Sequence, residues 1–152
     1  RTSQFIGENA IPVKDMYEPY VRPQENNHRT DIYWCALTDK TQRGLLLIAD
    51  RTFELNASNY PLESMDSGDT IDNGAPRTEK THHRHLTDPL PEKMVDLFID
   101  YRMMGVGGDD SWGATAHEPY LIRPGKENTI EYGFSLVPFD KKEDYKYLIR
   151  QY

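Results

Sequence analysis

The sequence contains a single cysteine, no cluster of basic residues and no long apolar segment. With Cys35 alone the chain cannot form an internal disulfide, and the apolar strand pattern around it predicts a buried, inert thiol rather than a nucleophile. The net charge of -7 argues against a nucleic-acid partner, because neutralising phosphates requires clustered lysine and arginine. An uncharged ligand such as a sugar remains compatible with this charge.

No apolar run is long enough to span a membrane, and no signal-peptide pattern is present. The chain begins at Arg1 without an initiator methionine, so we expect it to be part of a longer protein whose compartment, cytoplasmic or periplasmic, stays open. Its 152 residues, with 37% hydrophobic content, fit one domain. A chain of this size buries about two thirds of its unfolded surface, which is enough for a real core.

The strongest local pattern lies in residues 94–103, where apolar and polar side chains alternate as in a half-buried antiparallel strand. The glycine-rich run of residues 105–108 follows directly. Glycine reaches positive φ at little cost, so we expect the chain to reverse here at the end of a sheet. The side chains presented on that turn would be Asp109, Asp110, Ser111 and Trp112.

Further strand patterns occur on both sides of this segment. Residues 32–37 and 44–49 are apolar runs joined by a polar loop, which predicts a hairpin, and residues 53–57 alternate as a third strand. The remaining predicted elements are one or two short strands in residues 1–31, a short strand in 120–123, a turn at Pro124 and Gly125, and a strand in 130–136. The sequence therefore predicts an all-β, antiparallel domain.

Only one short helix is predicted, from Thr78 to His85 or Leu86, where Thr78 can act as the N-cap and Pro89 prevents continuation. Residues 60–77 lack periodicity and are predicted to form a long surface loop. Residues 140–152 are charged with a weak apolar cluster, and both a terminal helix and a further strand remain open for them.

Four segments, in order, resemble the C-terminal, small-chain region of the glycoside hydrolase family 2 β-galactosidases. They are Asp15-Met-Tyr-Glu-Pro-Tyr-Val-Arg-Pro-Gln-Glu-Asn26, His83-Arg-His-Leu86, Met104-Gly-Val-Gly-Gly-Asp-Asp-Ser-Trp112 and Phe134-Ser-Leu-Val-Pro-Phe139. The glycine motif alone would be weak evidence, but four segments in the same order argue against a chance match.

The resemblance implies a two-sheet β-sandwich similar to part of the galactose-mutarotase-like supersandwich. Residues 1–139 would form this partial domain, and residues 140–152 would be a charged C-terminal extension. The family domain is longer at its N-terminal side, so strands that pair with this segment would be missing. An open sheet edge would then seek a partner or be hidden by the tail.

The resemblance also implies that the parent enzyme hydrolyses terminal β-D-galactosyl residues. The catalytic glutamates and the magnesium and sodium sites of that family lie in a separate barrel, so this chain should hold no catalytic residue and no cofactor, and should be inactive alone. Asp109 and Asp110 are not interpreted as a catalytic pair, because exposed aspartates on turns normally accept backbone hydrogen bonds.

In the resembled enzymes the tryptophan of the glycine motif stacks on the sugar or aglycone at the leaving-group side of the active site. This implies a substrate-binding role for Trp112, with Ser111 and Asp110 beside it. An indole buries the apolar face of a pyranose at a small entropic cost, which makes the role physically reasonable. Trp34 has no such support and is predicted to pack in the core.

The histidines at positions 82, 83 and 85 lack the spacing and the partners of a zinc site, so metal binding is not expected. The resemblance suggests instead that residues 83–85 are structural. The expected partners are a galactoside and the other domains of the parent, with a homo-oligomer possible and neither nucleic acid nor membrane. Two alternatives remain open, a stand-alone carbohydrate-binding module and a purely structural interaction domain.

Overall fold

The computed structural model describes residues 6–19, 27–65, 89–104, 109–110 and 113–152. The chain divides into two compact units. The first comprises Arg1–Thr30 and Leu55–Ile99, and the second Asp31–Glu54 and Asp100–Tyr152. Within the described ranges, no helix is long and apolar enough to cross a membrane.

The described residues are dominated by one four-stranded sheet. Its neighbours follow the order β1-β2-β3, and β4 also pairs with β2. The regular elements are β1 (Arg29–Thr38), β2 (Gly44–Ser58), α1 (Leu62–Met65), β3 (Asp96–Asp100), β4 (Phe134–Phe139) and α2 (Tyr145–Ile149), with short 3-10 turns at Val13–Asp15 and Glu118–Tyr120. The predicted all-β class is confirmed. The second sheet of the expected sandwich stays a prediction.

The β1–β2 hairpin forms where the two apolar runs and their polar loop predicted it. The Asp39 carboxylate accepts hydrogen bonds from the Thr41 N–H at 2.7 Å, the Thr41 hydroxyl at 2.7 Å and the Arg43 N–H at 3.1 Å. The hydrogen bond from the Thr41 side chain, followed by that from the Arg43 backbone, holds the pKa of Asp39 below its ordinary value. Gln42 takes a left-handed φ of 63° to close the loop.

Strand β2 corrects one prediction, because the two strands expected at 44–49 and 53–57 are one continuous strand of 15 residues. The polar residues 50–52 suggested an interruption. In the structure, however, the Asp50 N–H donates to the Gly133 carbonyl at 3.0 Å, so pairing continues through this stretch. The side chains of Asp50 and Arg51 are exposed, which lets polar residues occupy a strand interior.

Other predicted boundaries also move. β3 covers five residues of the ten expected in 94–103, and all five are half-buried. The strand predicted for residues 120–123 is wrong, because Tyr120 ends a 3-10 turn and residues 121–123 pair with no strand. The turn predicted at Pro124 and Gly125 is present as a bridge between Gly125 and Asn128.

Each unit has its own buried residues. In the first unit Met16, Leu55, Ala57 and Met65 are buried, and the Tyr17 and Tyr60 rings stack with centroids 4.1 Å apart. Burial, and to a smaller extent the neighbouring Tyr60, raises the pKa of the Tyr17 hydroxyl. Tyr17 belongs to the first of the four family-like segments, which therefore contributes to packing.

One core cluster of the second unit consists of Leu46, Ile48 and Phe139. Helix α2 supplies apolar side chains to it, which resolves the open prediction for the tail in favour of a helix. The helix predicted for residues 78–86 and most of the loop predicted for 60–77 lie outside the described residues. The part of that loop that is described contains α1.

Candidate functional site

The segment that precedes the glycine run is tied to the central strand. The Glu54 carboxylate, 9% exposed on β2, accepts a hydrogen bond from the Met103 N–H at 2.6 Å. A charge-assisted bond at this depth is stronger than an exposed one. The chain therefore enters the glycine run from a position held by the sheet.

Asp110 and Asp109 make different contacts just after that run. One oxygen of the Asp110 carboxylate accepts hydrogen bonds from the Gly113 N–H at 3.2 Å and the Ala114 N–H at 3.3 Å. The Asp109 carboxylate lies 3.1 Å from the His117 imidazole Nε2, and both side chains are largely exposed. Asp110 thus acts as an aspartate on a turn is expected to act, by accepting backbone hydrogen bonds.

Of the three predicted substrate-binding residues, Asp110 is described, whereas Ser111 and Trp112 lie outside the described residues, and so do the histidines at 82, 83 and 85. In the chain, Ser111 and Trp112 come between Asp110 and its hydrogen-bond donors Gly113 and Ala114. The Asp110 carboxylate therefore links, by hydrogen bonds, the backbone before Ser111 and Trp112 to the backbone after them.

The segment after Trp112 is ordered by further polar contacts. Ala116 is buried, and a 3-10 turn follows His117, whose carbonyl accepts the Tyr120 N–H at 2.8 Å. Arg123 donates to Glu118 at 2.8 Å, and the Asn128 amide donates to the Arg123 carbonyl at 2.7 Å. Apart from Ala116, these are surface interactions, each of which stabilises local geometry more than global folding.

A row of aromatic rings in the second unit extends from Phe53 on β2 to Tyr101, which directly follows β3. Ring centroids lie 6.2 Å apart for Phe53 and Phe134, 6.3 Å for Phe134 and Tyr132, and 6.0 Å for Tyr132 and Tyr101. The Arg102 guanidinium lies 5.7 Å from the Tyr101 ring centroid. These contacts pack Tyr101 against Tyr132, which in turn packs against Phe134 on β4.

Sequence reasoning missed Glu54 and His117. Alternation with Phe53 and Leu55 places Glu54 on the opposite face of the strand, but nothing in the sequence shows that this face is buried. His117 had no detectable signal, since its partner Asp109 is eight residues away and no periodic element connects them.

The remaining candidates are structural. Cys35 is half-buried, and burial raises the pKa of its thiol, so the reactive thiolate is disfavoured. Trp34 is half-buried and packs against the core cluster and against Tyr145, with ring centroids 5.7 Å apart, so it has the packing role predicted for it. In the part of the chain that the structure describes, no group of three or more metal-ligating side chains comes together.

The described residues combine a four-stranded sheet with a polar segment held by discrete hydrogen bonds. A family model described as the β-galactosidase small chain matches residues 1–136. The chain is 32% identical over 126 residues to a β-galactosidase of Priestia megaterium, covering 83% of this chain and 10% of that protein. It is 25% identical over 137 residues to one of Pseudoalteromonas haloplanktis, covering 90% and 11%.

A β-galactosidase of Leuconostoc mesenteroides is 29% identical over 135 residues, covering 89% of this chain and 11% of that protein. The chain belongs to the β-galactosidase small-chain family. It spans about a tenth of the length of the curated relatives it matches.

Proposed function

We propose that this chain is the C-terminal domain of a β-galactosidase that hydrolyses terminal β-D-galactosyl residues. The observation that carries the proposal is the family match over residues 1–136 together with relatives of that name along most of the chain. Since the chain covers about a tenth of those relatives, the parent's other domains are its partners and supply the reactive groups.

The chain alone should be inactive. Retaining hydrolysis requires a nucleophilic and an acid/base carboxyl group about 5 Å apart on a rigid frame. The two adjacent aspartates are poor candidates, because Asp110 accepts two backbone N–H groups and Asp109 contacts His117. Both carboxylates thus serve the geometry of their own segment.

Trp112 is the residue we assign to the sugar or aglycone side of the parent's active site, with Ser111 and Asp110 beside it. Two features support this assignment. The glycine motif is complete in this chain; the Met103 N–H before it is bonded to Glu54, and the Gly113 N–H after it is bonded to Asp110. Backbone anchors on both sides of the motif would let a flat indole contribute binding energy without a large ordering cost.

The test is Trp112→Ala in the intact parent enzyme, assayed for hydrolysis against transfer to a second sugar. We expect the apparent affinity for the acceptor sugar to fall by about tenfold, the loss of about 1.4 kcal/mol of contact energy, with little change in thermal stability. Trp34→Ala is the matched control, because Trp34 packs in the core and its loss should lower stability without changing acceptor preference.

The opposite pattern would overturn the assignment: if Trp112→Ala lowers stability and leaves acceptor preference unchanged, the domain is purely structural. Titration of the 152-residue chain with lactose separates the other alternative. Millimolar or weaker binding agrees with a domain that only contributes Trp112 to the edge of the parent's active site. Tight binding would indicate a stand-alone carbohydrate-binding module.

A further inference from the structure

The family match ends at residue 136, yet the chain beyond it contacts the core of the second unit. In the antiparallel pairing of β2 with β4, Leu46 lies opposite Val137 and Gly44 opposite Phe139. Opposed residues of such a pair project to the same side of the sheet. Leu46, Val137 and Phe139 therefore share one apolar face, and Ile48, Trp34 and Ala36 pack in the same cluster.

Helix α2 covers this face with one of its sides. Tyr145, Leu148 and Ile149 pack against the cluster, at the i, i+3 and i+4 spacing of a single helical stripe. The Tyr145 ring centroid lies 5.7 Å from that of Trp34 and 5.9 Å from that of Phe139. Tyr147, on another side of the helix, is 61% exposed.

The turn between β4 and α2 is shaped by acidic side chains. Asp140 accepts the Lys142 N–H at 2.7 Å, and Glu143 accepts the Asp140 N–H at 2.9 Å. Asp144 is the N-cap of α2 and accepts the Lys146 N–H at 2.9 Å. These contacts reverse the chain at the end of β4 and start the helix where its apolar stripe meets the sheet.

We propose that residues 140–152 form a C-terminal clasp whose docking surface is the chain's own sheet face around Trp34, Leu46 and Phe139. A helix of five residues has little stability in water by itself, so the clasp folds only against this face. The face in turn needs the clasp, because without it a contiguous apolar patch would meet solvent. Undocking of the clasp requires less free energy than unfolding of the sheet, since only a few side chains bind the clasp to the sheet.

This inference is independent of the proposed function, because it concerns only the contacts between α2 and the sheet. Tyr145→Ala and Tyr147→Ala form a matched pair in the 152-residue chain, since they remove the same side chain two positions apart. We expect Tyr145→Ala to lower the melting temperature by about 5 °C, and Tyr147→Ala to leave it nearly unchanged. In a Trp112→Phe background, Trp34 is the remaining tryptophan, and its emission should shift to the red with Tyr145→Ala alone.

Two further measurements guard against a variant that merely fails to fold. Truncation after Phe139 should increase binding of a hydrophobic dye, while truncation after Arg150, which removes the exposed Tyr152, should not. Amide exchange should show the Leu148 N–H, bonded to the Asp144 carbonyl at 3.1 Å, opening faster than the amides of Leu46 and Ile48. Equal effects of the two tyrosine variants, or equal exchange at the helix and the sheet, would overturn the clasp.

Discussion

The second unit contains two regions that are stabilised in different ways. The β2–β4 sheet with α2 is held by buried apolar contacts around Leu46, Ile48 and Phe139. The segment that follows the glycine run is held by discrete polar contacts, such as those of Asp110 with Gly113 and of Asp109 with His117. Apolar burial supplies most folding free energy, whereas exposed polar contacts supply little.

This difference indicates that folding stability and the predicted binding residues depend on different regions of the second unit. A loop whose shape depends on a few hydrogen bonds can change its side chains, and hence what it binds, without endangering the fold. The sheet provides the fixed frame through Glu54, which holds Met103 at the entrance to the loop. Substitutions in the two regions should therefore differ in kind as well as in size.

The largest effect is expected for Leu46→Ala, because Leu46 is fully buried in the cluster. Truncating such a side chain costs about 2–5 kcal/mol of unfolding free energy through lost burial and the cavity left behind. Chemical denaturation measures this loss. Leu136→Ala is the control on β4, since Leu136 is 51% exposed and should cost less than about 1 kcal/mol. Similar losses for the two leucines would contradict a core centred on Leu46.

A smaller effect is expected for Gly44→Ala at the start of β2. A Cβ here would overlap the Leu37 backbone carbonyl, which cannot move without displacing β1. We expect a loss of about 1–3 kcal/mol, as for other overpacked sites, measured by thermal unfolding. Gly125→Ala, in the polar region, places its Cβ in open space and should be nearly neutral. If both glycines tolerate alanine equally, the hairpin is less closely packed than the structure indicates.

The smallest effect concerns the pH dependence of the hairpin. Because hydrogen bonds lower the folded-state pKa of Asp39 from its ordinary value of 3.8, the ionised carboxylate stabilises the folded state above that value. This contribution is lost as the pH falls through the folded-state pKa. We expect Asp39→Asn to be slightly less stable than the unmodified chain at about pH 6, and the difference to shrink as the pH falls through the folded-state pKa. A difference that persists in acid would assign the effect to packing.

Local patterns predicted the sheet well where two successive strands and one loop sufficed. The hairpin from β1 to β2 required only apolar runs and a polar connection, and both are visible in the sequence. Prediction failed at residues 50–52 and at residues 120–123. In the first case the backbone just before β4 supplies a partner for the Asp50 N–H, and in the second a 3-10 turn ends at Tyr120 and residues 121–123 follow without strand pairing. Neither event leaves a periodic signal.

The candidate site likewise has features that the sequence predicted and contacts that it did not. The motif from Met104 to Trp112 and the family it indicates were visible in the linear chain, since they depend on residue order alone. The contact of Glu54 with Met103, 49 positions apart, could not be predicted from either residue. The same holds for the pairing of Asp109 with His117.

Residue order thus established the β class, the hairpin, the absence of a disulfide within this chain and the membership of the β-galactosidase small-chain family, because these follow from composition, short-range periodicity and ordered motifs. Folding in three dimensions established which polar groups meet across the sheet, that β2 runs unbroken, and that the charged tail closes over Trp34 as a helix. Such contacts require residues that are remote in the chain to come close together. They do so only when folding buries the apolar face of the sheet.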